Sequence, residues 1–477
     1  MNILPLFIAI PLGLAFIIPM VGRRIKHLPD ILASLTTLVL VLLSVLVLGN
    51  RGVYEMGKWK APIGIVLVLD GLSALMLVTI SVISFLAILY SARYMERYTA
   101  SHKYYSLFLL MVAGMNGVVL TGDMFNLFVF MEIAAIASYA LVAFGCQHEE
   151  LEASFKYLIL GSVASTFILF GIALLYGLTG TLNMADIANT ITGGNLILFS
   201  IALFIVGFGL KSALVPFHAW LPDAHPSAPA PISAMLSGVV IKALGVYAIA
   251  RIIFNVFGLS SISSDVLLLL GTISMIVGVF LAIGQWDFKR LLAYHSISQI
   301  GYVVLGIGLG TPLGILGGLF HLVNHAVFKS LLFLDAGSVE YATGTRQLDK
   351  MGGLAQKMHV TGFSSMIASL SISGIPPFNG FWSKLIIIWA CVESGHPVYA
   401  FWGTLVGIMT IASFMKVQRY GFLGKLGDAW KNVHEVPGLM RVAMVILTLL
   451  CIFMGLLLLP GPRDTVLIPA VRALTEG

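Results

Sequence analysis

Apolar runs long enough to cross a bilayer recur from one end of this sequence to the other, and no other feature constrains the fold as strongly. A helix needs about 20 apolar residues to span the hydrocarbon core. The segments 3–20, 29–49, 65–90, 105–122, 124–144, 153–177, 196–218, 229–253, 264–284, 289–311, 313–336, 360–394, 400–420 and 439–460 meet that need. They predict an all-α polytopic membrane protein with about 14 transmembrane helices. Of 477 residues, 59% are hydrophobic and 10% charged, and mean hydropathy is +1.00. A soluble domain of this size needs far more charge on its surface, so soluble classes are excluded.

The formal charge of +6 does not point to nucleic acid, because the basic residues lie in short loops or inside apolar segments. Loops after odd-numbered spans carry Arg23, Arg24, Lys26, Arg93, Arg97, Lys103, Lys289, Arg290, Arg346, Lys350, Lys357, Arg419, Lys425, Lys431 and Arg441. Loops after even-numbered spans, with the chain end, carry Arg51, Lys58, Lys60, Arg251, Arg463 and Arg472. The positive-inside rule then puts the odd loops in the cytoplasm and both termini outside a cell membrane. The first apolar stretch lacks a basic leader and a cleavage signature and reads as a membrane helix. Cys146, Cys391 and Cys451 form no metal or redox motif.

Charges inside the spans carry the functional signal. Lys156, Lys211, Lys242, Lys329 and Lys384 fall within predicted helices, and Glu132 lies deep in FNLFVFMEIAAIASY. Lys416 is near a helix end, where its stem can snorkel to the interface. Each charge at bilayer depth costs about 2.5–3.5 kcal/mol on an insertion scale. Ion pairing between helices is the structural alternative for such a set. Desolvation lowers the proton affinity of a lysine and a nearby carboxylate restores it, so lysines suit a proton relay. Glu132 and Lys211 make such a switch if the fifth and seventh helices are neighbours.

HLVNHAVFK puts His321, His325 and Lys329 at i, i+4 and i+8, along one helix ridge. Histidine titrates near neutral pH and passes protons through either ring nitrogen. A polar helix–helix seam is the bland alternative. Haem ligation is another, with His295 and His218 as facing ligands; both are otherwise accessory candidates for the relay. AYHSISQIGY, around His295, offers hydroxyls, an amide and an imidazole that suit a water file.

Two self-matches share one offset. ASFKYLIL at 153–160 matches AVFKSLLF at 326–333, and GFGLK at 207–211 matches GFWSK at 380–384, both 173 residues apart. They pair Lys156 with Lys329 and Lys211 with Lys384. Five spans separate the copies, so the second is inverted, as in many transporters. The segments bearing Lys211 and Lys384 are also interrupted, the first by Pro216 and its following prolines, the second by Gly374, Pro376 and Pro377. Broken helices at corresponding places in two halves mark a transport site.

LDGLSALM at 69–76, YSARYM at 90–95, NLFVFMEIAAIASYALV, KSALVPFHAWLPDAHPSAPAPISA at 211–234 and GIPPFNGFWSK at 374–384 carry a resemblance over nearly the whole chain. The sequence resembles the antiporter-like, proton-translocating subunits shared by respiratory complex I, membrane-bound hydrogenases and Mrp cation/proton antiporters. It looks closest to the Mrp D-type and membrane-bound hydrogenase subunits. The resemblance implies two inverted five-helix repeats, helices 4–8 and 9–13, with helices 7 and 12 broken. It gives Glu132 and Lys211 the roles of the helix-five glutamate and helix-seven lysine. Lys242 resembles the bridging residue of helix eight, and His321, His325 and Lys329 the polar residues of helix eleven. Lys384 resembles the terminal lysine of helix twelve, and Lys156 a helix-six lysine. No long lateral helix follows the last span, unlike the largest complex I subunit of this kind.

The chain therefore divides into N-terminal helices 1–104, a first repeat 105–253, a second repeat 264–420 and a C-terminal helix with its tail, 439–477, all one membrane domain. The expected function is proton translocation within a multi-subunit complex, either a redox-driven pump or a sodium/proton antiporter. Its partners are other membrane subunits, the lipid bilayer and, in a redox complex, a peripheral iron–sulfur, hydrogenase or dehydrogenase module. No cofactor, metal or redox chemistry is expected of the chain itself. A haem-bearing electron-transfer subunit and a stand-alone solute carrier are the alternatives. Ser212, Asn324 and Thr121 form no recognisable sodium cluster, which favours the proton.

Overall fold

The computed structural model describes residues 3–22, 25 and 27–476; Arg23, Arg24 and Lys26 of the orientation argument lie outside them. The chain opens with α1 (Leu6–Val21) and α2 (Leu28–Leu46), then a hairpin of β1 (Gly52–Glu55) and β2 (Val66–Leu69). There follow α3 (Gly71–Tyr94), α4 (Ser101–Leu120), α5 (Met124–Val142), α6 (His148–Thr179), α7 (Met184–Thr190), α8 (Asn195–Lys211) and α9 (Leu221–Ser227). α10 (Ala230–Met235) and α11 (Ala248–Arg251) belong to one rod, Ala230–Val256, loosened by π turns. The second half holds α12 (Ser261–Ile283), α13 (Phe288–Gly308), α14 (Pro312–Thr343), α15 (His359–Ser373), α16 (Asn379–Glu393), α17 (Pro397–Val417), α18 (Gly438–Phe453) and α19 (Ile468–Thr475).

Among the described residues, 11 helices are long and apolar enough to cross a membrane. Leu6–Val21 and Asn195–Lys211 are shorter apolar helices. The helices begin where a side chain can take the free N–H groups of the first turn. Asp70 accepts from Ser73 N at 2.9 Å and its own N–H donates to Ser73 Oγ at 2.8 Å. Asp123 opens α5 and Asp287 opens α13 by accepting from Asn126 N and Arg290 N, without the return bond. α6 and α14 each end at a glycine with positive φ, Gly180 and Gly344, where a side chain would be strained.

The rod Ala230–Val256 and α14 run through the centre of the bundle, buried over most of their length. α2, α6, α17 and α18 wrap the outside and leave apolar residues such as Leu42, Phe155, Ile408 and Val442 exposed. A helix apolar on every side, with an exposed apolar face, suits lipid rather than water. α19 turns back to pack on α3 and α14.

A local clasp occurs twice. Met124 N donates to Leu182 O and Met184 N to Gly122 O, tying the start of α5 to the end of α6. Phe288 N donates to Arg346 O and Leu348 N to Trp286 O, tying α13 to α14. These bonds, like Gly180 and Gly344, stand 164 residues apart. α6 and α14 keep that same offset from start to end, so Lys329 stands at the height of Ser165 on its helix, whereas the sequence self-match sets it level with Lys156.

Other boundaries also shift. The third span starts at Gly71, because residues 66–69 pair with β1 as a strand. The seventh span ends at Lys211, so His218 lies in irregular chain. The eleventh continues to Thr343, seven residues past the expected end. The long twelfth segment breaks into α15 and α16 around Gly374, Pro376 and Pro377. The peptide bonds preceding Pro216 and Pro377 are cis.

Candidate functional site

The break after α8 places Lys211 at a helix end inside the bundle. Its Nζ lies 3.3 Å from Glu132 Oε1 and 3.4 Å from the Tyr139 hydroxyl, so α5 and α8 meet as the relay requires. Ser165 donates to the same carboxylate oxygen at 2.5 Å. Behind the pair, Tyr139 meets Tyr157 edge-on, and Tyr157 stacks on Trp220 with centroids 4.0 Å apart. Trp220 Nε1 donates to Leu210 O, which has lost its helical i+4 partner at the break and otherwise accepts from Ala213 N. The Lys211 side chain is 3% exposed, whereas that of Glu132 remains 26% exposed. Coulombic attraction in so dry a setting is strong, and the pair is sensitive to any change in separation.

The next lysines have no carboxylate beside them. Lys242 donates to Ser237 O, within the π-turned part of the rod, and Ser237 Oγ meets Ser296 Oγ at 2.7 Å. Lys329 donates to Leu292 O at 2.5 Å. Lys384 donates to Ile372 O at 2.7 Å, a carbonyl freed by the second break, and its Nζ stands 4.8 Å from the centre of the Tyr302 ring. Among the described residues, none of the three ammonium groups has an acidic partner within 4 Å.

Imidazoles fill the intervals. His321 and His325 lie on one ridge of α14, with near-parallel rings 6.4 Å apart. His321 Nδ1 meets Ser383 Oγ at 2.9 Å, one residue before Lys384. His325 is buried with both ring nitrogens unpartnered, within electrostatic range of Lys242, Lys329 and Lys384. His295 Nε2 meets Ser413 Oγ at 2.8 Å. Half-buried His218 sits near the first break, its Nδ1 unpartnered. The arrangement is a row of amines and imidazoles, each able to hold or pass one proton.

Lys156 does not join this row. Its side chain is 47% exposed and pairs with Glu152 Oε1 at 2.8 Å and Asp223 Oδ2 at 3.0 Å. It lines an open polar cleft of about 540 Å³ with Glu149, Arg290 and Arg346. The cause is its side of the helix: Lys156 faces Asp223 of α9 across the open cleft, on the same side as Glu152 one turn before it.

Sequence reasoning also missed buried groups. His225 is fully buried with neither nitrogen bonded, stacked on Phe333, although it stands in the quoted HAWLPDAH motif. Lys289, expected in a loop, is buried and pairs with Glu340 Oε2 at 2.8 Å. Arg251, also placed in a loop, holds Asp70 through two bonds of 2.7 and 2.9 Å. Burial pushes the Asp70 carboxyl up, but Arg251 and the Ser73 hydrogen bonds outweigh it and hold it below the usual range. Asp335 is a second carboxyl deep in the bundle, beside the expected Glu132. Its signal was the true length of α14, which leaves it two turns from the helix end.

Comparison with known proteins gives one consistent result. The family model described as NADH:quinone oxidoreductase/Mrp antiporter, transmembrane region, matches residues 121–410. That of the NADH-ubiquinone oxidoreductase (complex I) chain 5 N-terminus matches residues 56–105. The chain is 37% identical over 410 residues to the D-type Na(+)/H(+) antiporter subunit of Alkalihalophilus pseudofirmus, covering 84% of this chain and 82% of that one. It is 34% identical over 474 residues to the N-type NADH-quinone oxidoreductase subunit of Desulforudis audaxviator, covering 95% and 94%. A chain of the membrane-bound sulfane sulfur reductase, an archaeal respiratory membrane complex, superposes with a TM-score of 0.91 at 34% identity, covering 100% of this chain and 98% of that one.

Proposed function

We propose that this chain, which belongs to the NADH:quinone oxidoreductase/Mrp antiporter family of membrane subunits, translocates protons as one subunit of a larger complex. The observation that carries the reading is the Glu132–Lys211 pair at the head of a row of lysines bonded only to carbonyls. Separating Glu132 from Lys211 releases the Lys211 proton toward Lys242; His325 and Lys329 take it on, and His321 and Lys384 end the path. His218 and His295 are accessory groups. The two relatives' names, an antiporter subunit and a quinone oxidoreductase subunit, support a transporting arm driven from elsewhere, with no redox step in this chain. The proton is the better-supported ion.

The reading includes fourteen crossings: the eleven long helices, α1, α8 and the broken pair α15–α16 taken as one. Residues 105–253 and 264–420 are inverted repeats, with residues 1–104 before them and 439–477 after. The recurring clasp supports this division. The basic loops face the cytoplasm and both termini face outside. A partner subunit covers Glu132, because a carboxylate one quarter exposed at bilayer depth, between the exposed Val129 and Ile136, has no place against lipid.

The test is proton uptake by vesicles holding the native complex with Lys211→Ala. Loss of uptake with assembly intact supports the relay, and normal uptake ends it. The other subunits that purify with the native complex decide the driving force. An iron–sulfur or hydrogenase module means a redox-driven pump, and only small hydrophobic subunits mean cation/proton exchange.

A further inference from the structure

Asp335 has no part in the row just described. It is fully buried on α14, and among the described residues it has no ion-pair partner. One oxygen accepts from Ser364 Oγ at 2.6 Å and the other has no partner. An ionised carboxylate with one hydrogen bond is costly in such a place, whereas a neutral acid is tolerable. Toward the face with the basic loops, the contacts lead to solvent. Ser364 lies one turn from Thr361, whose hydroxyl donates at 2.6 Å to Glu435. Glu435 lines an open cleft of about 410 Å³ and lies within electrostatic range of Asp335. Inward, the same ridge of α15 reaches Ser371, next to the Ile372 carbonyl that holds Lys384. Ser364 and Ser371 are about 10 Å apart along the helix.

We propose that Asp335 is the proton-carrying group of an uptake branch, running from Glu435 along the seam of α14 and α15, that must reload Lys384 in every cycle of the row. This rests on the proton-translocating reading above. Asp335 gives its proton inward, through transient water past Ser371, to the Lys384 amine. The carboxylate left behind takes the Ser364 proton in the same shift in which Ser364 accepts one, through a transient water, from the side of Thr361 and Glu435. One proton enters for each that leaves, and no electrons move.

The experiment uses the native complex carrying Asp335→Asn, Asp335→Glu or Ser364→Ala, with Lys211→Ala as reference. Vesicle proton uptake and infrared difference spectra of carboxyl groups are the readouts. Asp335→Asn should lower uptake about tenfold or more and remove a protonated-carboxyl band, and Asp335→Glu should restore part of both. Normal uptake in assembled Asp335→Asn, with Lys211→Ala blocked, overturns this branch alone. Normal uptake in both overturns the relay as well. If Asp335→Asn does not assemble, Ser364→Ala decides. Slowed uptake with a shifted carboxyl band supports the branch, and unchanged uptake and spectrum overturn it.

Discussion

Trp220 and Tyr157 lie face to face, 4.0 Å apart and within 3° of parallel, and so fix the irregular chain after Lys211 against α6. The stack links the local break to the pair that gives it meaning. Tyr157 braces Tyr139, and the Tyr139 hydroxyl meets Lys211. The geometry of the Glu132–Lys211 pair therefore depends on an indole outside the pair.

Trp220→Phe removes the donor to Leu210 O and trims the indole to a single ring, and should cost about 2 kcal/mol. Trp220→Ala also empties the stack and should cost about 3–5 kcal/mol. Thermal unfolding of the purified complex gives the ranking. Equal losses would mean that the bond to Leu210 O, not the remaining aromatic packing, holds the break.

Glu132→Gln keeps the shape of the side chain and removes its charge. Uptake should fall at least about tenfold with assembly intact, since the switch needs a carboxylate. Glu132→Ala also takes away the oxygen that accepts from Ser165 and Lys211 and should cost a further about 1–3 kcal/mol of stability. Uptake in vesicles, with subunit content by mass spectrometry, separates the two effects.

Lys156→Ala should leave stability almost unchanged, as expected of a solvent-facing ion pair. Its uptake should stay within about twofold of the unaltered complex, while Lys329→Ala should abolish uptake, being buried in the row. A block in Lys156→Ala as deep as in Lys329→Ala would return Lys156 to the relay.

Asp70→Asn should destabilise the protein by about 3 kcal/mol, by leaving Arg251 half-buried without its counter-charge. The Asp70 carboxyl is held below its usual range by Arg251 and Ser73 despite burial. Its contribution is therefore complete above the unfolded value of about 3.9 and is lost as pH falls through the lower folded value. Unfolding midpoints measured from neutral to acid pH should show this loss, and Asp70→Asn should flatten it. An acid limb of equal depth in both proteins would assign it elsewhere.

The spans were legible because apolar length is a strong signal, and Glu132 and Lys211 because a charge at bilayer depth needs a reason. What was hidden depended on where helices stop and on what they face. Ending α14 seven residues later carries Asp335 inside, and Lys156 reaches the surface because it faces an open polar cleft that the apolar run around it does not reveal. Lys289 and Arg251 looked like loop cations, since their acidic partners, Glu340 and Asp70, are distant in sequence. The hairpin was masked because VLVL reads equally as apolar helix or strand. The self-match pairs Lys211 with Lys384, but the first stands just before its break, at the end of α8, and the second just after its break, on α16.

Each clasp, Met124–Leu182 and Phe288–Arg346, closes within its own half of the chain. The first joins strands of backbone that have both left the ribosome before residue 288 is made. A nascent first half can thus be latched while the second is still being synthesised, which shortens the time its polar interior faces lipid unprotected.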